Sequence, residues 1–267
     1  MKRTENASFI SFNNDEIGLI FDDSKHLKYP IKYYNVINGI GYEQNKDASY
    51  YGFVYSGNTE IISEGRPKGS VGKGMYFSIS GEFIINPSCE SKVVLIEVLH
   101  TKGIYPINNY TAMYQIGGAI EDEGRLKYID GCTDSILIPP IKFGDPCFNH
   151  LHFPKGIIQT PHTHPSHRIG IVARGYGECV TPFGNLPLIE GMIFVIKAWD
   201  GKSFEKGIDG QIYENGNHCF YTTDSIMDVI AFHPDSDFGA KDENHPMINR
   251  TIVKGVSANS IDSIRTK

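Results

Sequence analysis

The chain has 267 residues, a formal net charge of −6, 40% hydrophobic residues and 21% charged residues. This mild acidity excludes a basic field for nucleic acid or an anionic membrane, and the longest apolar runs, such as 93–96, are far too short to span a bilayer. Five scattered cysteines without a Cys-x-x-Cys pair, and a start that lacks an apolar leader, point to reduced thiols and a cytoplasmic protein.

Glycine and proline are abundant, aromatics make up 12%, and helical periodicity is weak, so an all-β fold of short strands and turns is expected. Residues 1–30 read as an N-terminal arm. Residues 52–61 then read as strand, glycine turn and strand, and residues 170–179 repeat that pattern with Gly, Val, Gly and Glu at matched places. Residues 73–79 are echoed by 190–196, and 94–100 by 227–233. The offset is nearly constant for the first two pairs and longer for the third, so the second copy carries an insertion, placed at 198–210. Three matches in the same order imply a tandem duplication: one all-β unit over 31–140, a second over 141–255, and a frayed tail over 256–267.

The second unit holds the chemistry. Within residues 148–153, His150 and His152 read as one packed and one exposed ring, with cavity lining as the alternative. Residues 156–175 then carry His162, His164 and His167 within six positions. Alternate side chains of a strand share a face, so His162 and His164 project together, whereas His167 projects away as a second-layer or solvated group. His218 follows a turn and opens a strand, which makes it the expected third ligand of a divalent metal. Cys219 points out of that cavity by alternation. Arg168 keeps the parity of His164, so it either faces the metal or turns outward to a surface acid. Residues 232–246 gather acids and histidines into a polar loop; Asp235, Asp237 and Gly239 imitate the start of a calcium loop without its remaining ligands. Counting back by the repeat offset, the site positions become Gln44, Lys46, Tyr50 and a position near Ile85, so the first unit is expected to hold no metal.

The spacing Gly156-x5-His162-x-His164-x3-Arg168-x6-Gly175 resembles the first motif of the cupins, Gly-x5-His-x-His-x3-Glu-x6-Gly, at every position but one. Gly191 and His218 resemble the glycine and the single histidine of the second cupin motif. The resemblance implies two tandem double-stranded β-barrels, a bicupin, with metal held in the second barrel by His162, His164 and His218. Arg168 stands where many cupins have a glutamate ligand, so the likeness is closer to the three-histidine cupins, such as cysteine and gentisate dioxygenases, than to oxalate decarboxylases. The expected protein is a metal-dependent enzyme acting on a small carboxylate-bearing molecule, with non-haem Fe(II) dioxygenation first. Imidazole alone also admits Mn, Ni, Cu or Zn. In that setting Arg168 would orient the substrate carboxylate through two charge-assisted bonds. A non-redox isomerase, lyase or cyclase is the alternative, and a non-catalytic small-molecule-binding cupin the other. No nucleic-acid or membrane partner is expected, and a homodimer would cover open barrel edges.

Overall fold

The computed structural model describes residues 3–88, 90–99, 114–140, 145–235 and 251–261. Among them the structure is all-β, with short 3-10 turns at Ile129–Gly131 and Ala258–Ser260, and no helix is long and apolar enough to cross a membrane. In chain order the strands are β1 (Thr4–Glu5), β2 (Phe9–Phe12), β3 (Gly18–Asp23), β4 (Ile31–Ile37), β5 (Ala48–Ser56), β6 (Asn58–Ile62), β7 (Gly69–Gly72), β8 (Tyr76–Ser80), β9 (Ile84–Pro87), β10 (Lys92–Leu99) and β11 (Gln115–Gly117). There follow β12 (Leu126–Lys127), β13 (Thr133–Ile138), β14 (Cys147–Phe153), β15 (Arg168–Val180), β16 (Leu186–Ile189), β17 (Ile193–Ile196), β18 (Phe204–Lys206), β19 (Ile212–Glu214), β20 (Cys219–Tyr221), β21 (Met227–His233), β22 (Ile252–Val253) and β23 (Val256–Ser257).

The internal repeat appears as a repeated strand order. The first half pairs its strands β11-β8-β5-β10-β4-β3 and backs them with β7-β6-β9. The second half runs β1-β2-β17-β15-β21-β14-β13-β12, with β16 and β20 on the far end of β15. The series β4-β10-β5-β8 is thus answered by β14-β21-β15-β17. The matched glycines explain why the sequence signal survived. A Cβ at Gly52 would lie 2.2 Å from the Phe77 ring, and one at Gly170 would lie 2.6 Å from the Phe194 ring. Gly57 and Gly175 both take φ of 69°. A Cβ there would lie 1.6 Å from the Glu90 carbonyl oxygen and 2.0 Å from that of Ile226. At each point the strand turns toward the second layer while the returning strand crosses closely, and only glycine combines that φ with that approach. The insertion falls between β17 and β20 as expected, and its centre is the hairpin β18–β19.

Each half buries its own core, including Tyr34, Tyr50, Phe77 and Phe83 in the first and Phe153, Phe194, Phe220 and Val229 in the second. A third cluster, with Tyr33, Tyr51, Phe53, Phe148, Ile171 and Phe232, fills the space between the two large sheets. Strand β5 therefore reads as a continuous apolar run, because Tyr50 and Val54 face one core while Tyr51 and Phe53 face the other. The Tyr51 and Phe232 rings meet at 5.2 Å, and the Tyr33 hydroxyl donates to the Gly170 carbonyl at 3.3 Å.

Two expected boundaries shift. Residues 1–30 are not a separate arm: β2 pairs antiparallel with β17 of the second half, Phe9 opposite Ile196 and Phe12 opposite Ile193, while β3 pairs with β4. Without β2 the ladder edge of β17 would be open, and Phe9, Ile10 and Phe12 supply buried side chains to both of its faces. The division expected at residue 140 also comes too late, since β12 and β13 already pair into the second sheet. Strand β13 stands beside β14 as β3 stands beside β4. In the tail, β23 pairs with β22 and Ala258 is buried; residues 262–267 lie outside the described residues. Residues 236–250, which carry the rest of the expected polar loop, lie outside them as well.

Truncating Phe9, which is 1% exposed, removes a ring from the second core. Phe9→Ala is expected to lower unfolding stability by about 3–5 kcal/mol in a urea titration. A change below about 1 kcal/mol would mean that the first strand is dispensable to the sheet.

Candidate metal centre

A single antiparallel backbone bridge builds the site. The His162 N–H donates to the His218 carbonyl at 2.9 Å, and the His218 N–H donates to the His162 carbonyl at 3.0 Å. Directly opposed residues of antiparallel segments put their side chains on the same face, so the two imidazoles meet with ring centroids 4.6 Å apart. His164 completes the group at 4.9 Å from His162 and 5.2 Å from His218. One ring nitrogen from each of the three lies within 4.8 Å of the others. The segment that carries His162 and His164 is not a regular strand. It forms bridges at Ile158 and His162, then bends through Pro165 and Ser166 before β15 begins at Arg168.

Tautomers follow from the partners. Nδ1 of His162 sits 2.8 Å from the Thr160 carbonyl oxygen, and Nδ1 of His218 sits 2.8 Å from that of Gly216. A carbonyl can only accept, so each Nδ1 carries the proton and each Nε2 keeps a lone pair for a Lewis acid. Such a partner also fixes the ring's orientation, as metal-binding histidines require. Burial, and secondarily the proximity of His162, pushes the His218 imidazole down to about 3. Burial, followed by the Arg168 charge and the neighbouring rings, drives His164 far below the ordinary histidine range. Converging imidazoles, with His164 and His218 held neutral by burial, fit a divalent cation of borderline character.

The site opens on a cavity of about 30 Å³ lined by the three histidines, Arg168 and apolar side chains such as Phe153, Phe194 and Phe220. Arg168 therefore lines the cavity and is also paired with an acid. Its Nη1 lies 2.5 Å from Asp235 Oδ1, and the Ser166 hydroxyl accepts from Arg168 and donates to Asp235. His233, to which the sequence assigned no role, lines the same cavity. Burial holds its ring well below the ordinary range, and Nδ1 lies 3.7 Å from Cys147 Sγ. It shares the parity of Val229 and Ala231 on β21, which also line the cavity. Parity along β21 would therefore have located His233 once that strand's inward face was known.

His167 turns away from the cavity. Its Nδ1 accepts the Ala198 N–H at 2.9 Å, its ring packs edge-on against Phe21 at 5.4 Å, and burial depresses it to about 4. Cys219 faces the Val180 carbonyl rather than the cavity. Cys132, Cys147, Cys179 and Cys219 form no disulfide. In the first half, Gln44 donates to the Phe83 carbonyl and Tyr50 is buried among aromatic rings.

His150 and His152 correct the expectation of one packed and one exposed ring, because both are buried. His150 Nε2 and His152 Nδ1 lie 2.7 and 2.8 Å from the same oxygen of Asp228, whose other oxygen accepts from Arg174 Nε at 2.6 Å. Their face of β14 is that of Phe148, toward the contact between the halves, so they do not reach the metal site. Asp228 is fully buried. An acid inside the apolar run Met227–His233 was the sequence signal for this network.

No protein-family model and no curated protein matches this sequence. Solved structures do. The protein Ylba from E. coli, of the family model DUF861, superposes with a TM-score of 0.57 at 14% identity, over 90% of this chain and 96% of that one. A cupin 2 conserved barrel domain protein from Leptotrichia buccalis gives 0.51 at 14% identity, over 86% and 90%. The fold is cupin-type. A salicylate 1,2-dioxygenase variant from Pseudoaminobacter salicylatoxidans also matches at 0.51 and 11% identity, over 76% of this chain and 71% of that one. At these identities the likeness to the cupins concerns fold alone.

The depressed rings give the metal-free chain a pH dependence. His218 and His167 fall from an ordinary 6.5 to about 3 and about 4. Below 6.5 the unfolded chain takes protons that the folded chain refuses, so stability falls as pH drops from 6.5 toward 4. Urea midpoints at pH 7 and pH 4.5 should show this decline. His167→Asn, whose amide oxygen can still take the Ala198 N–H, should make it shallower. A slope unchanged by that substitution would remove His167 from the account.

Proposed function

We propose that the two halves are tandem cupin barrels and that the second holds one divalent cation on His162, His164 and His218 in a metal-dependent enzyme acting on a small carboxylate. Non-haem Fe(II) dioxygenation is the reaction favoured. The observation that carries this reading is the convergence of three imidazoles at one cavity, two of them fixed through Nδ1–H by backbone carbonyls. Burial opposes charging His164 and His218, so their rings stay available as neutral ligands.

A cation bound there supplies a Lewis acid and, if it is iron, a centre for oxygen chemistry. The chain's own side chains do the rest. His162, His164 and His218 would hold the cation, and three protein ligands would leave room for a substrate. Arg168 presents a planar fork suited to a carboxylate. Phe153, Phe194, Phe220 and Val229 form an apolar wall that excludes bulk water and strengthens each polar contact inside. A cavity of about 30 Å³ is on the scale of one or two water molecules.

Metal analysis of the full-length protein is expected to find one divalent ion per chain, and His218→Ala should reduce this to background while the protein remains folded. Oxygen uptake with short carboxylates should require iron and vanish in the same variant. Turnover that persists without oxygen would move the assignment to a non-redox isomerase or lyase. Full metal retention in His218→Ala would sink the site itself.

A further inference from the structure

We propose that Asp235 is a positioning residue, which holds Arg168 by one nitrogen so that the opposite edge of its guanidinium receives the carboxylate of a small ligand. This rests on the reading of the cavity as a metal and carboxylate site. Both the Asp235 and the Ser166 contacts fall on Nη1 of Arg168. Nε and Nη2 make no hydrogen bond to the described residues, although the side chain is only 15% exposed. A guanidinium carries five donors in a rigid fork, and two parallel N–H groups on that edge remain for a ligand or for water. The Nε–Nη2 edge has the spacing that a carboxylate accepts in bidentate fashion.

The arrangement also separates Asp235 from a simple counter-ion. It does not occupy the edge that a ligand would use, so binding need not displace it. Ser166 is 1% exposed, and its hydroxyl ties the carboxylate and the guanidinium into one unit. Arg168 is the sole lysine or arginine among the described residues that line the cavity. One carboxylate is therefore matched at the guanidinium. The ligand class that follows is a short acid that presents a carboxylate to Arg168.

The test is calorimetric titration of acetate, with acetamide as its neutral isostere, into cobalt-loaded full-length protein. Acetate should bind more tightly than acetamide. Asp235→Ala should weaken acetate about tenfold, the lower end for a charge-assisted contact. Asp235→Asn, whose amide oxygen still accepts from Nη1, should stay within about threefold, since it keeps that hydrogen bond. Ser166→Ala should shift affinity in the same direction as Asp235→Ala, which keeps the test decisive if the latter does not fold. Acetate binding that is unchanged or tighter in Asp235→Ala, or no preference over acetamide in the parent, would overturn the proposal. Cobalt content is read separately. A parent protein that takes up no cobalt counts against the metal reading, while acetate titrated into the metal-free chain still reports on Arg168 and Asp235.

Discussion

The two backbone hydrogen bonds between His162 and His218 are the constraint on which the candidate site depends. They join a segment that is hardly strand at all to the start of β20, at a sequence distance no local propensity could bridge. Once the pair is in register, ring placement follows from strand geometry, and the carbonyls of Thr160 and Gly216 settle which nitrogen of each ring is free. The chemistry is thus written in the main chain before any side chain chooses a rotamer. Shifting the pairing by one residue would bring Cys219 into the place of His218 and turn the imidazole away.

The repeat shows how one scaffold accommodates two interiors. Gly52 with Phe77 and Gly170 with Phe194 make the same glycine–aromatic contact, and Gly57 and Gly175 make the same turn between layers. These positions are under backbone constraint and look alike in both copies. The interior is not so constrained. In the first half Tyr34, Tyr50, Phe77 and Phe83 fill the core, whereas the second half spends part of its core volume on histidines around a cavity. Packing one copy solidly while opening the other preserves apolar burial across the chain, and the shared cluster from Tyr33 to Phe232 joins the two halves.

Much of this was legible in the sequence, and what was hidden was hidden for physical reasons. The repeat showed because glycines with positive φ or no room for Cβ cannot be exchanged freely. His162, His164 and His218 could be grouped because fixed spacing and a turn-to-strand context are local features. The parity argument for Arg168 was less secure, since the chain bends at Pro165 and Ser166 before β15 begins. Strand β2 was missed because its partner, β17, lies in the other half and nothing in Phe9–Phe12 names that partner. The His150, His152, Asp228 and Arg174 network was missed because three strands contribute to it, and burial of each member depends on the others being present.

The two histidine clusters illustrate opposite solutions to the same desolvation problem. Asp228 supplies an acceptor for His150 and His152 and is itself matched by Arg174, so that group is nearly complete with protein atoms alone. The cavity cluster has no carboxylate among its ring partners, and its nearest full charge is the cation of Arg168, which opposes protonation. The burial that holds His164 and His218 neutral costs their rings hydration. A cation that binds the folded chain and not the unfolded one restores that loss, so occupancy and stability of the second half are linked. On this view the apolar wall that keeps the buried rings neutral is also what favours a cation among them.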